Sequence, residues 1–164
     1  PSMKQRDARV LDMISSVLSD GKSSRLYKRL VDKDKLALEA SSFNMTEEDY
    51  SAYIIYAIPM TGKTAEEVQK VIDEEVAKIS TDLISEREFQ KIQNQFENAA
   101  VNANATSEGI AHNLAEAYLL YGDTKLVNTS IDIYRSITRE EIRDIAKKYL
   151  QPNQRVVIDY IPQK

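Results

Sequence analysis

An α+β fold, an antiparallel sheet covered by helices, is predicted from three observations in the 164-residue chain. Two adjacent stretches between Leu36 and Pro59 are rich in small, β-branched and aromatic residues, and a further β-branched run closes the chain. Three hydroxyl-to-glutamate capping signatures start amphipathic helices between them. Strands separated by long helical insertions depart from the regular alternation of a doubly wound sheet.

Val10, Leu11, Ile14, Val17 and Leu18 recur at helical spacing, and Gly21 follows where a left-handed C-terminal cap belongs. A short second helix carries Leu26, Leu30 and Val31 and stops at the charged run Asp32 to Lys35. Leu36 to Met45 and the run from Tyr50 to Ile58 read as two strands, paired as a hairpin across the acidic turn Glu47-Glu48-Asp49. Thr64 with Glu67, Ser85 with Glu88 and Thr138 with Glu141 each place a hydroxyl at N-cap and a carboxylate three residues on, which together satisfy free backbone N–H groups. Val68, Val71, Ile72, Val76 and Ile79 form an apolar stripe behind the first of these caps. Ile110 to Tyr121, with Leu114, Ala117 and Tyr118, is another helix, ended by Gly122-Asp123, and Ile131 to Ile137 a short one. Arg155 to Ile161 is predicted as the closing strand. Three strands are few for a stable sheet, so strands preceding Pro1 are expected to complete it.

Composition excludes several chemistries. With 26 acidic against 22 basic residues, a net charge of -4 offers no footprint for a phosphate backbone, and nucleic-acid binding is not expected. The absence of cysteine removes disulfides, thiolate metal sites and thiol nucleophiles. A single histidine excludes any two-histidine metal site within the chain. No apolar run approaches the ~20 residues of a membrane span, and no signal peptide opens the sequence. A soluble chain without membrane insertion is expected, its compartment left open.

The motifs that remain each have a bland reading. His112 and Glu116, four apart on a helix, could share a metal ion but lack a third ligand, and a polar histidine near a helix start is the simpler account. Gly21-Lys22-Ser23 imitates the end of a phosphate loop, yet Ser16 stands where its first glycine belongs and no strand leads in. Glu47 with Glu48 and Glu74 with Glu75 read as a turn and a solvated helix face rather than an acid–base pair. Asn44, Asn104 and Asn128 carry Asn-x-Ser/Thr patterns that chance supplies often. The nine tyrosines, among them Tyr50, Tyr53, Tyr56, Tyr118 and Tyr121, suit a half-wet peptide-binding wall or an ordinary core margin.

The stretch Leu18-Ser19-Asp20-Gly21-Lys22-Ser23-Ser24-Arg25-Leu26-Tyr27-Lys28-Arg29-Leu30-Val31, followed by Lys35-Leu36-Ala37, resembles the peptidase M16 family of pitrilysin, insulin-degrading and mitochondrial-processing type metalloendopeptidases. Gly122-Asp123 and the segment from Ser136 to Ile142, with Ala146, Tyr149-Leu150 and Pro152, resemble the closing helices of the same domain. The similarity covers nearly the whole chain in order.

The resemblance implies one half-unit of the M16 metallohydrolase architecture, in which homologous α+β halves close around a chamber. One half carries His-x-x-Glu-His and a distal glutamate for zinc. That motif is missing here, so the chain, residues 1–164, resembles a single partial zinc-free C-terminal half. It implies no cofactor in this chain, zinc in a partner half, peptide substrates enclosed between the two, and no activity from this chain alone. The arginine and tyrosine with which the family's zinc-free half holds substrate fall on Val31 and Leu38, and a register shifted to Arg29 puts Leu36 at the partner position. That pair does not carry over, and no catalytic or metal residue is expected. Gly21, Ser23, Ser24, Arg25 and Leu26 are expected to act structurally. The alternative implied is a non-proteolytic scaffold subunit of the same fold.

Overall fold

A computed structural model of the chain describes residues 1–160. Helix α1 (Arg6–Ser19) leads through a turn into a π-helical segment, Tyr27–Lys33. Strands β1 (Ala37–Thr46) and β2 (Ser51–Pro59) then pair antiparallel. Helices α2 (Ala65–Thr81), α3 (Glu86–Ala103), α4 (Ser107–Glu116), α5 (Leu126–Ser136) and α6 (Arg139–Tyr149) follow, with a π-helical turn, Ala117–Tyr121, continuing α4. The α+β class stands, with helices against one face of a two-stranded antiparallel sheet.

All three capping signatures form in full. Thr64, Ser85 and Thr138 each accept from the backbone N–H three residues on, and Glu67, Glu88 and Glu141 return the bond to the cap residue. Gly21 and Gly122 take φ of +72° and +69°, the left-handed conformation that a side chain disfavours at a helix end.

Helix α1 is the axle of the molecule, lying against β1, α3, α5 and α6. Its apolar residues Val10, Leu11, Met13, Ile14 and Leu18 are sealed from solvent together with Leu26, Leu30, Ile79, Ile92 and Ile142. Five of its polar residues bond to other elements. Arg6 forks onto Glu141 at 2.7 and 3.0 Å, Asp7 accepts from Lys148 and Tyr149, and Arg9 donates to Tyr121. Asp12 accepts from Asn44 and Tyr134, and Ser19 bonds Ser42 on β1. Both faces of α1 are therefore used, one by burial and one by directed hydrogen bonds.

The Arg6–Glu141 fork has a pH consequence. The guanidinium holds the Glu141 carboxyl below its ordinary value, against a smaller opposing effect of burial. A depressed folded-state pKa contributes stability that is complete above the unfolded pKa, about 4.3, and is lost as pH falls through the folded value. Glu141→Gln retains the capping geometry while removing the charge, so it is expected to lower stability at pH 7 and to flatten the stability loss below pH ~4, measured by urea unfolding across pH.

Four expectations about the secondary-structure elements need correction. The second helix is π-helical, with the Asp34 N–H bonded to the Arg29 carbonyl five residues back. Helix α4 starts earlier than Ile110: Thr106 caps it through the Gly109 N–H, a start that lacks a glutamate at the third position and so shows no capping box. Helix α5 begins at Leu126, five residues before the expected start. The closing strand does not form over residues 155–160, which run without ladder pairing; Ile161 lies outside the described residues. A strand is held by hydrogen bonds to a neighbour, and among the described residues β1 and β2 pair only with each other. Val156 and Ile158 are consequently 86% and 84% exposed, while Arg155 is drawn to Asp73 on α2.

Candidate functional site

The signature segment is a loop clamped by one face of α3. The Ser24 N–H bonds the Gly21 carbonyl at 3.1 Å, which closes the turn, and Ser24 and Leu26 are then buried beneath it. Arg25 forks onto Glu88, with Nε to Oε1 at 3.0 Å and Nη2 to Oε2 at 3.2 Å. Lys91 donates to the Ser23 hydroxyl at 2.5 Å and Gln95 to the Asp20 carboxylate at 3.0 Å. Glu88, Lys91 and Gln95 share one helix face by their spacing, so α3 reads the loop along its length. Burial pushes the Glu88 carboxyl up, but Arg25 and the Ser85 cap outweigh it and hold it below the usual range. Gly21 is required for its backbone angle and not for space, since a Cβ there meets no atom within 4 Å.

Glu88 thus serves both the cap of α3 and Arg25. Arg25→Ala is expected to destabilise the protein by about 1–2 kcal/mol, seen as a lower urea midpoint, because the bidentate charge-assisted pair is lost while the half-exposed Glu88 recovers some hydration.

Val31 is half-buried against the core, whereas Leu38 stands 62% exposed near the start of β1. Neither offers a polar group. Arg29, the alternative arginine, is already engaged: Nε meets Asp34 at 3.1 Å, Nη2 meets Glu74 at 3.0 Å and Nη1 meets Glu75 at 3.0 Å. Three of its five N–H donors are thus spent on carboxylates of this chain, which already balance its charge. The expectation that Glu74 and Glu75 form a solvated face is corrected for Glu75, which is only 4% exposed and also accepts from Lys78 at 2.7 Å. The signal was present in the sequence, since Glu75 lies four residues from Val71 and four from Ile79, within the apolar stripe of α2.

The hairpin has two unlike faces. Ala40 and Ser42 are buried and Tyr53, Ile55 and Ala57 face the same helices, where burial pushes the Tyr53 phenol up to about 12. The opposite face presents Phe43, Met45, Tyr56 and Ile58, each 40–47% exposed, with Phe43 opposite Ile54. The Phe43 and Tyr56 rings meet edge to face at 6.5 Å, and the Tyr56 hydroxyl donates to Glu39 at 2.6 Å. Such a wall can take apolar groups and orient them by a few rim hydrogen bonds. It supplies no acid–base pair.

The remaining candidates stay apart from this wall. The His112 side chain is 76% exposed with Glu116 at 3.6 Å, and among the described residues no three metal-binding side chains come together. The described residues therefore do not fit a zinc ion. The Asn44 amide is spent on Asp12 and the Ala8 carbonyl, and Asn104 bonds Asn113 and the Ala100 carbonyl. Asn128 lies within α5. Glu48 approaches Lys4 at 3.9 Å at the hairpin turn. Among the described residues no helix is long and apolar enough to cross a membrane.

Residues 1–96, which hold the clamped loop and the hairpin, match the family described as the peptidase M16 inactive domain. The chain belongs to that family. This M16 inactive domain is 29% identical over 159 residues to the zinc protease PqqE of Helicobacter pylori, a match that covers 96% of the chain and 35% of that protein. A solved protease from Helicobacter pylori superposes with a TM-score of 0.86 at 28% identity, covering 94% of the chain and 37% of its own. A candidate zinc protease from Bordetella pertussis Tohama I gives a TM-score of 0.86 at 26% identity, with 99% and 88% covered. The M16 inactive domain thus spans about a third of the curated relative's length.

Proposed function

We propose that residues 1–164 belong to the non-catalytic half of an M16 zinc metalloendopeptidase, which encloses a peptide substrate and pairs with a zinc-carrying half. The observation that supports this most is the bare apolar face of the hairpin, carried by a chain of the inactive-domain family with no metal-binding cluster among its described residues. Zinc in the other half would supply the hydrolytic chemistry. The part of this chain is to exclude bulk water and hold apolar side chains of an extended peptide against Phe43, Met45 and Ile58. Val31 and Leu38 add no polar anchor, so the wall works by shape and desolvation.

In the full-length protein, Phe43→Ser combined with Met45→Ser is expected to raise KM for an unstructured peptide several-fold, with kcat within about twofold and bound zinc unchanged, because only substrate binding is weakened. An unchanged KM removes the hairpin from the substrate path. Full-length protein that binds no zinc and hydrolyses no peptide favours the scaffold subunit, a reading supported by the apolar Val31 and Leu38.

A further inference from the structure

Strand β1 carries a bulge that re-aims one carboxylate. Ala37 pairs with Pro59 and Glu39 with Ile58, so the ladder passes over Leu38. Ala37 and Ala40 are both buried although they stand three residues apart, which strict alternation along a strand does not allow. Counted from the inward Ala37, Glu39 would face the helices. The bulge turns it instead to the bare face of the hairpin, where it is exposed. Positions 39, 41, 43 and 45 of β1 and 52, 54, 56 and 58 of β2 share that face, and Glu39 is the one charged residue among them.

Glu39 closes a diagonal row of three side chains. The Phe43 ring meets Tyr56 edge to face at 6.5 Å, and the Tyr56 hydroxyl donates to one Glu39 oxygen at 2.6 Å. Ile58 stands opposite Glu39 in the register. The hydroxyl bond steadies the carboxylate and leaves it further lone pairs on both oxygens. Among the described residues no lysine, arginine or histidine forms an ion pair with it. A carboxylate set in an apolar wall in this way suits a cation on a long apolar stem. The methylenes of a lysine or arginine would lie along Ile58 while the charge reaches Glu39 beside the Tyr56 ring. In open water such a pair contributes little, but it strengthens where an enclosing half excludes bulk water.

We propose that Glu39 sets substrate preference on the hairpin wall, selecting peptides that carry lysine or arginine on the same side of the extended chain as a large apolar residue. This rests on the reading of the hairpin as the substrate-facing wall. Alternate side chains of an extended peptide share one side at a spacing of ~6.6 Å, so the probes are unstructured peptides with Lys, Arg, Gln or Glu two residues from a Leu. With the full-length protein at low salt, the Lys and Arg peptides are expected to show a KM at least threefold below that of the Gln peptide, and the Glu peptide a KM above it. Glu39→Gln should bring all four within about twofold of one another, and Glu39→Lys should reverse their order. A purely structural role for Glu39 in the hairpin would move all four together. Equal KM values in the unaltered protein, or a basic preference that survives Glu39→Gln, overturn the proposal and leave the reading of the wall standing. An unchanged KM for the Gln peptide in Phe43→Ser with Met45→Ser overturns that reading and the proposal with it. Full-length protein that cleaves none of the four peptides also overturns both.

Discussion

Leu18→Ala is expected to cost about 3–5 kcal/mol, a fifth or more of the stability of an ordinary domain. Leu18 is fully buried near the C-terminus of α1, within the cluster that joins α1 to the π-helical segment, β1, α2, α3 and α6. Several elements line the site, so collapse onto the lost methyl groups would have to move more than one of them, and a cavity remains. Urea unfolding should show a lower midpoint with little change in slope. A loss under about 1 kcal/mol would mean that α1 is not the centre of the core. Leu38→Ala, at an exposed position, serves as the control and should stay within about 0.5 kcal/mol.

Arg29→Ala is expected to destabilise by about 2–4 kcal/mol, chiefly through what it leaves behind. The Glu75 carboxylate is nearly sealed from water and would keep only Lys78, whose own side chain is 49% exposed. Removing one member of a buried pair is costlier than the pair's net contribution, because the remaining charge stays desolvated. Two further variants separate this account from simple loss of packing. Arg29→Lys should recover little, since one ammonium cannot span three carboxylates. The double variant Arg29→Ala with Glu75→Gln should recover a substantial part of the loss, because the stranded charge is gone. A strictly additive double variant would contradict the assignment.

Local signals and tertiary outcomes agree wherever the determining interaction is short in sequence. The three capping boxes, the left-handed glycines after α1 and α4, and the hairpin across the acidic turn all depend on residues a few positions apart, and all were legible. The closing strand failed because β-branched composition describes a residue's suitability for a sheet and says nothing about a neighbour to pair with. Helix α4 was missed at its start because Thr106 caps without a glutamate partner. Of the candidate surface, the signature loop was visible as a motif, but its clamp on Glu88, Lys91 and Gln95 spans more than sixty residues of sequence.

Residue pattern alone therefore determined the class, the helix starts, the hairpin and the scarcity of metal ligands, since these follow from composition and from contacts within one turn. Periodicity marked the inward faces of α1 and α2, whereas the inward side of α4 was decided only by the tertiary structure. A stripe such as Ile110, Leu114 and Tyr118 announces that an apolar surface exists, and the helix can still dock by its Gly109 and Asn113 side when close approach to Ala103 and two amide hydrogen bonds favour that side. Glu75 shows the converse, a carboxylate inside an apolar stripe that is buried because Arg29 and Lys78 reach it. In both cases the deciding energy belongs to groups brought together by the fold: the spacing of Glu75 places it on the inward stripe of α2, but the Arg29 that satisfies it there comes from another element.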